Sequence, residues 1–298
     1  MHIRLGTRGS KLALVQTNWV KEKLEQQFPR HTFEVVVIKT KGDLIQNKAL
    51  DQIGGKGLFV KEIEQQILDH TVDMGVHSMK DMPSEPAAGL SFTKIWPRAD
   101  RRDALILKHA HSLDELKPGA VLATGSKRRI YQLRALRPDL QFVGIRGNID
   151  TRLKKMQEGE IDGLVLAAAG LHRLGMEEVI TQYLDPQSEM VPACAQGALA
   201  LEIREDDSVL REMLDSLCDC QTDREVCAER TFLQAVGGGC HTPAGACAQE
   251  RDGVLTMTAF YGREDGSKIK RSTMTGKAEE AVELAITLAQ QIKKEVDG

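Results

Sequence analysis

The stretch M-V-P-A-C-A-Q-G-A-L-A-L-E-I-R at 190–204 leaves one block of the chain, turns around Pro192 and Gly197, and re-enters another block as a strand. An earlier stretch, I-W-P-R-A-D-R-R-D at 95–103, makes the opposite passage, its proline and charges interrupting the apolar patterns on either side. Two passages between the same two blocks predict a hinge made of a double crossover. The expected architecture is α/β, with a discontinuous first lobe over 1–97 and 196–216 and a second over 101–190. A small α+β domain follows over 218–298.

Outward from these passages, strand-like and helix-like runs alternate, as in parallel α/β units. In the first lobe H-I-R-L-G (2–6) precedes a helix over about 10–28 with Leu12, Val15, Trp19, Leu24 and Phe28 on one face. Then come a strand at 33–39, the loop I-G-G-K-G-L-F, a helix with Phe59, Ile63 and Ile67 inward, and M-G-V-H-S (74–78) delivering the loop M-K-D-M-P. The second lobe offers strands at 120–123, 141–145 and 163–167. The last segment has a helix, the loop G-G-G-C (237–240), two strands and a helix over 277–296 with Ala281, Leu284, Ala285, Leu288 and Ile292 inward. In such sheets ligands sit beyond the carboxyl ends of the strands, so the expected site is a cleft between the lobes.

The 298 residues are 41% apolar and 28% charged, ordinary for a folded soluble protein. The first sixteen residues hold no long apolar run, which fits neither a signal peptide nor a membrane span and places the chain in the cytoplasm. In that reducing compartment the six cysteines read as free thiols. No C-x-x-C pair occurs, and His109 with His111 reads as a solvated turn, so no metal is expected. A net charge of −3 argues against a general nucleic-acid or anionic-membrane binder. Residues 121–155 nevertheless carry nine Lys or Arg against two Asp, a local +7 that calls for an anion.

Several short motifs could meet it. In T-G-S-K-R-R (124–129) a strand turns into a helix, so backbone N–H groups and Ser126 can face an anion beside Arg128 and Arg129; the bland reading is a capped helix with a solvated face. R-G-N (146–148) with Arg152, and then Arg173, follow the next two strands, and such recurrence makes guanidiniums converge. Few aromatic residues interleave with them, which favours a small polyanion over nucleic acid. Lys80-Asp81 ends a strand; it is a surface turn or an acid/base group. Cys240 follows three glycines, which let backbone approach a ligand; it is a buried, inert thiol or a nucleophile beside His241. G-G-K-G-L-F lacks the spacing of a P-loop.

Taken in order, T-R-G-S-K-L-A-L-V-Q (7–16), G-G-K-G-L-F-V-K-E (54–62), H-S-M-K-D (77–81), the arginine pair 128–129, R-G-N-x-x-T-R-L (146–153), A-G-L-H-R-L-G (169–175) and G-G-G-C (237–240) closely resemble the porphobilinogen deaminase (hydroxymethylbilane synthase) family over the whole chain. The resemblance implies lobes like those of periplasmic binding proteins, and a dipyrromethane cofactor held by thioether on Cys240. It also implies head-to-tail addition of four porphobilinogens with loss of ammonia, releasing hydroxymethylbilane. Asp81 matches the residue that stabilises the azafulvene cation. Lys80, Ser126, Arg128, Arg129, Arg146 and Gly147 carry over as cofactor contacts. Arg8, Ser10, Arg152, Arg173, Gln16, Lys56 and Phe59 carry over as substrate contacts.

A monomer with a small polycarboxylate substrate, and neither nucleic acid nor membrane as partner, is the family expectation. Gly125 and Lys127 stand where the family commonly has Ser and Leu, removing one hydroxyl and adding one charge. Cys194-Ala195 replaces Val-Gly at the expected hinge, altering its flexibility or adding a second reactive thiol. Two rivals remain: a two-lobed, non-catalytic anion receptor, which leaves G-G-G-C unexplained, and a nucleic-acid binder, which predicts little loss on changing Cys240.

Overall fold

The computed structural model describes residues 1–40, 60–239 and 242–298. Along the chain come β1 (His2–Arg8), α1 (Lys11–Gln27), β2 (Thr32–Ile38), α2 (Lys61–Leu68), β3 (Met74–Ser78) and β4 (Leu90–Phe92). After the first passage follow β5 (Asp103–Leu107), β6 (Val121–Ala123), α3 (Lys127–Leu136), β7 (Gln141–Val143), α4 (Ile149–Glu158), β8 (Gly163–Ala167), α5 (Ala168–Arg173) and β9 (Gln182–Leu184). The return passage leads into β10 (Leu199–Arg204) and α6 (Ser208–Asp215). The rest comprises α7 (Cys220–Ala235), β11 (Ala244–Arg251), β12 (Val254–Gly262), β13 (Ile269–Lys277) and α8 (Ala281–Asp297).

These elements form two compact units, Met1–Arg98 with Ala198–Asp223, and Ala99–Gly197 with Arg224–Gly298. The first holds a five-stranded sheet in the order β2-β1-β3-β10-β4; β1 runs parallel to β2 and β3, and β10 antiparallel to β3 and β4. The second holds β7-β6-β8-β5-β9, with β6 parallel to β7 and β8, and β5 antiparallel to β8 and β9. The expectation of parallel sheets is therefore corrected: both are mixed. The cause is the double crossover, since the strand entering each sheet from a passage comes in head-on. Both sheets have one and the same order, with that incoming strand fourth and antiparallel.

In the first unit Ile3, Leu5, Val20, Leu24, Met74, Leu201 and Ile203 form the core between β-sheet and helices. The stripe expected on α1 is rotated: Gln16, Thr17, Val20 and Leu24 are buried, and Leu12 and Val15 only half-buried. Gln16 tolerates this burial because its amide is hydrogen-bonded to Ser78.

The antiparallel sheet β11-β12-β13 has its own core, in which Met257, Ala259, Leu284, Ala285, Leu288 and Ile292 are buried. This segment shares a compact unit with the second lobe, because polar clasps join them. Tyr131 donates to Glu264 O at 2.7 Å and Arg271 donates to Ser188 O at 2.6 Å. The two passages touch at Ala99, whose N–H donates to Gly197 O at 3.1 Å.

Candidate active site

In the first unit the expected residues gather at the carboxyl ends of β1 and β3, neighbouring parallel strands. Arg8 is the last residue of β1, and Ser10 caps α1 by accepting the Ala13 N–H at 3.3 Å. Beyond Ser78 the chain makes a 3-10 turn, Met79–Asp81. Met79 and Met82 are buried on either side as apolar pegs, and the Met79 N–H is tied to Ala198 O at 3.0 Å. Lys80 is left half-buried and Asp81 exposed. The turn thus holds the Asp81 carboxylate out beyond the end of β3.

Beneath the turn lies a pair that sequence reasoning missed. His77 Nε2 is 3.2 Å from Glu202 Oε2, both side chains buried. Gly75 makes room for it, since a Cβ there would stand 2.6 Å from His77 Nε2. Glu64 on α2 faces the same pair; burial, then the charge of Glu202, push its carboxyl up, against the pull of His77.

In the second unit the candidates sit at the carboxyl ends of β6, β7 and β8, three neighbouring parallel strands. Ser126 is the N-cap residue of α3, but its hydroxyl caps nothing. Arg128 and Arg129 turn inward, buried onto Asp103 at the head of β5. Arg128 Nη1 donates to Asp103 Oδ2 at 2.7 Å and to Val191 O at 2.6 Å. Arg129 Nε and Nη2 grip Asp103 Oδ1 at 3.0 and 2.7 Å, and Nη1 reaches Val165 O. Gln196 is the third residue to donate to Asp103, at 3.2 Å. The solvated basic face is thereby excluded, and the pair's inward N–H groups are already spent. Arg128 retains Nε and Nη2 without a partner among the described residues.

After β7, Gly147 has φ +113°, and a Cβ there would collide with Thr151 at 2.7 Å, so glycine is required. Asn148 caps α4 by accepting the Thr151 N–H at 2.9 Å, and Arg152 Nε donates to Gly147 O at 2.8 Å. Arg146 Nη2 is buried with no hydrogen-bond partner. After β8, Arg173 donates to Gly197 O at 2.7 Å, and burial pulls its guanidinium down to about 10. No carboxylate pairs with Arg146 or Arg173 among the described residues. Buried guanidiniums without counter-ions are costly, and a ligand carboxylate is what would match them.

Helix α7 ends in the glycine loop. Gly237 has φ +69°, and a Cβ on Gly238 would stand 3.0 Å from Leu233 O. Gly239 and Thr242 bracket the next two positions by two hydrogen bonds of 3.1 Å. Cys240 lies outside the described residues, as do Lys56 and Phe59. Of the departures, Gly125 is exposed with open space around it, and Lys127 begins α3. Cys194 is buried; burial and the charge of Glu229 push its thiol up, so it is an inert neutral thiol rather than a second reactive one. Ala195 occupies the left-handed region at φ +60°.

Sheet order defines an α/β protein of two lobes, with guanidiniums at strand ends that no carboxylate pairs among the described residues. The family model "Porphobilinogen deaminase, dipyromethane cofactor binding domain" matches residues 3–212, and "Porphobilinogen deaminase, C-terminal domain" matches 224–294. Porphobilinogen deaminase of Lachnospira eligens is 54% identical over 95% of this chain and 96% of its own, and that of Clostridioides difficile 48% over 100% and 99%. The chain belongs to the porphobilinogen deaminase family. Among solved structures, a Bordetella pertussis BvgS VFT2 domain aligns with TM-score 0.46 at 14% identity, covering 76% of this chain and 91% of that one.

Proposed function

We propose that this chain is a transferase that joins four porphobilinogens head to tail, with loss of four ammonia molecules, and releases hydroxymethylbilane by hydrolysis, one water supplying the terminal hydroxyl. The observation that carries this reading is the set of guanidinium N–H groups at successive strand ends with no carboxylate to match them among the described residues, Arg146 Nη2 foremost. Each pyrrole of the substrate bears an acetate and a propionate, the ligand chemistry such donors bind in bidentate fashion.

The same donors fit the dipyrromethane cofactor, which supplies a permanent primer whose free α-carbon accepts the first ring. Cys240 would be its attachment point, with Lys80, Ser126, Arg128, Arg129, Arg146 and Gly147 around its carboxylates. Arg8, Ser10, Gln16, Lys56, Phe59, Arg152 and Arg173 would take those of substrate and growing chain. Asp81, held out by the Met79 and Met82 pegs, would stabilise the cation left when the substrate loses ammonia, and accept the proton that each new bond releases. We further read the chain as a cytoplasmic monomer, divided into domains at 1–97 with 196–216, 101–190 and 218–298. Among the described residues no helix is long and apolar enough to cross a membrane.

Intact mass spectrometry tests the cofactor role: active protein should exceed the bare 32.9 kDa chain by two pyrrole units. An unmodified mass in active protein, or an adduct retained in Cys240→Ala, would contradict it. Asp81→Asn should stay folded and bind substrate yet lose turnover by roughly 10²-fold or more. Near-normal turnover would remove Asp81 from the chemistry.

A further inference from the structure

Helix α7 runs directly into the glycine loop of Cys240, so whatever fixes α7 also fixes where that loop begins. Its buried face carries Glu225 and Glu229, one turn apart. Both carboxylates are bound to backbone N–H groups of other segments. Glu229 accepts from Ala248 at 3.0 Å and from Ala195 at 2.6 Å, and Glu225 accepts from Glu250 at 2.9 Å. Ala248 and Glu250 belong to β11, an edge strand of its sheet, so the two glutamates take the place of the missing neighbour strand. Ala195 is the left-handed residue of the return passage.

Two buried carboxylates on one helix face are stable only beside a cation. Arg101 supplies it, from the charged stretch 95–103 that otherwise reads as a mere connector. Its Nη2 donates to Glu225 Oε2 at 2.7 Å, and Nη1 to Ala248 O, with Cys247 Sγ at 4.0 Å. Burial would lower this guanidinium, but Glu229, Cys247 and Glu225 together raise it. On the other side Gln196 Nε2 holds Arg101 O at 2.8 Å. Both passages, the edge strand and α7 therefore meet in one hydrogen-bonded knot inside the second unit.

We infer that Arg101 is a positioning residue for the Cys240 loop: by clamping α7 to β11 and to the first passage it sets the place at which the thiol is presented for cofactor attachment. The inference rests on the reading of Cys240 as the attachment residue. The substitutions to compare are Arg101→Gln, Arg101→Lys and the double change Arg101→Gln with Glu225→Gln. Each apo-protein, expressed without a substrate supply and shown folded by circular dichroism, is given porphobilinogen, and adduct formation is followed by intact mass.

Arg101→Gln should slow attachment by about tenfold or more, since small misplacements cost rate steeply. Arg101→Lys should recover only part, because one ammonium cannot span both the carboxylate and the carbonyl. The double variant should recover part of the lost rate, since Glu225 no longer brings an unmatched charge and only Glu229 is left without the guanidinium. Arg101→Gln that melts earlier but attaches at the normal rate would make the clamp purely structural and overturn the inference, as would a double variant as slow as the single one. Wild-type chain that forms no adduct would sink the reading of Cys240 itself, and the inference with it.

Discussion

Asp103→Asn removes one negative charge from a site where two guanidiniums converge. Asp103 is wholly buried, and Arg128 and Arg129 are 5% and 9% exposed. Neither arginine can turn to solvent without withdrawing from Val191 O or Val165 O. In the variant one oxygen can still accept from Arg129, but an amide nitrogen replaces the oxygen that Arg128 Nη1 meets at 2.7 Å, so donor faces donor. Breaking a buried pair by removing one partner costs about 3–5 kcal/mol, and retention of one acceptor places this variant near the lower end. For a unit of this size each kcal/mol lowers the melting temperature by about 2–4 °C. Scanning calorimetry should therefore show a fall of roughly 6–12 °C. Lys154→Gln, which breaks a pair exposed on both sides, serves as control and should lose under about 0.5 kcal/mol. If Asp103→Asn melts within about 2 °C of the control, the two arginines are not held by charge, and their burial needs another cause.

Three further outcomes follow from geometry. Gly197→Ala should destabilise by at least about 2 kcal/mol in chemical denaturation, since residue 197 sits at φ +91° and a Cβ would stand 2.4 Å from Ala99 O. Asp73 is pushed up by burial, but hydrogen bonds from the Arg4 side chain and backbone outweigh this and hold its carboxyl below the ordinary 3.8. Its stabilisation is complete above that value and fades as pH falls through the lowered one; Arg4→Met keeps the backbone N–H and the charge of Arg204 but loses the guanidinium, so the acid limb of an unfolding curve should move to higher pH. In iodoacetamide labelling of native protein at neutral pH, exposed Cys220 should be modified and buried Cys194 spared; rapid labelling of Cys194 would contradict its assignment as an inert thiol.

What could be read in advance followed the range of the interactions. Lys80, Asp81, Arg146, Gly147 and Arg173 stand beside the strand ends that position them, so local pattern sufficed to place them at the sheet edges. Asp103 was not legible as an anchor, because its partners are 25 and 26 residues away and nothing in R-R-D marks one acid as buried. His77 with Glu202 depends on two strands meeting across a sheet, and only Gly75, opposite Glu202 in the register, hinted at the space. The direction of β5 and β10 escaped for the same reason: hydrophobic alternation reports a strand but not its sense.

The interleaved strand order has a consequence for synthesis. Among the described residues β4 is hydrogen-bonded to the rest of its sheet only through β10, which is specified more than a hundred residues later. A ribosome that has finished the first 98 residues has therefore released a sheet that cannot close, with the β3 edge open until Arg204 emerges. The sheet of β5 to β9, by contrast, is encoded without interruption and can complete itself first. A fragment ending at Arg98 would expose an unsatisfied strand edge rather than yield an isolated lobe.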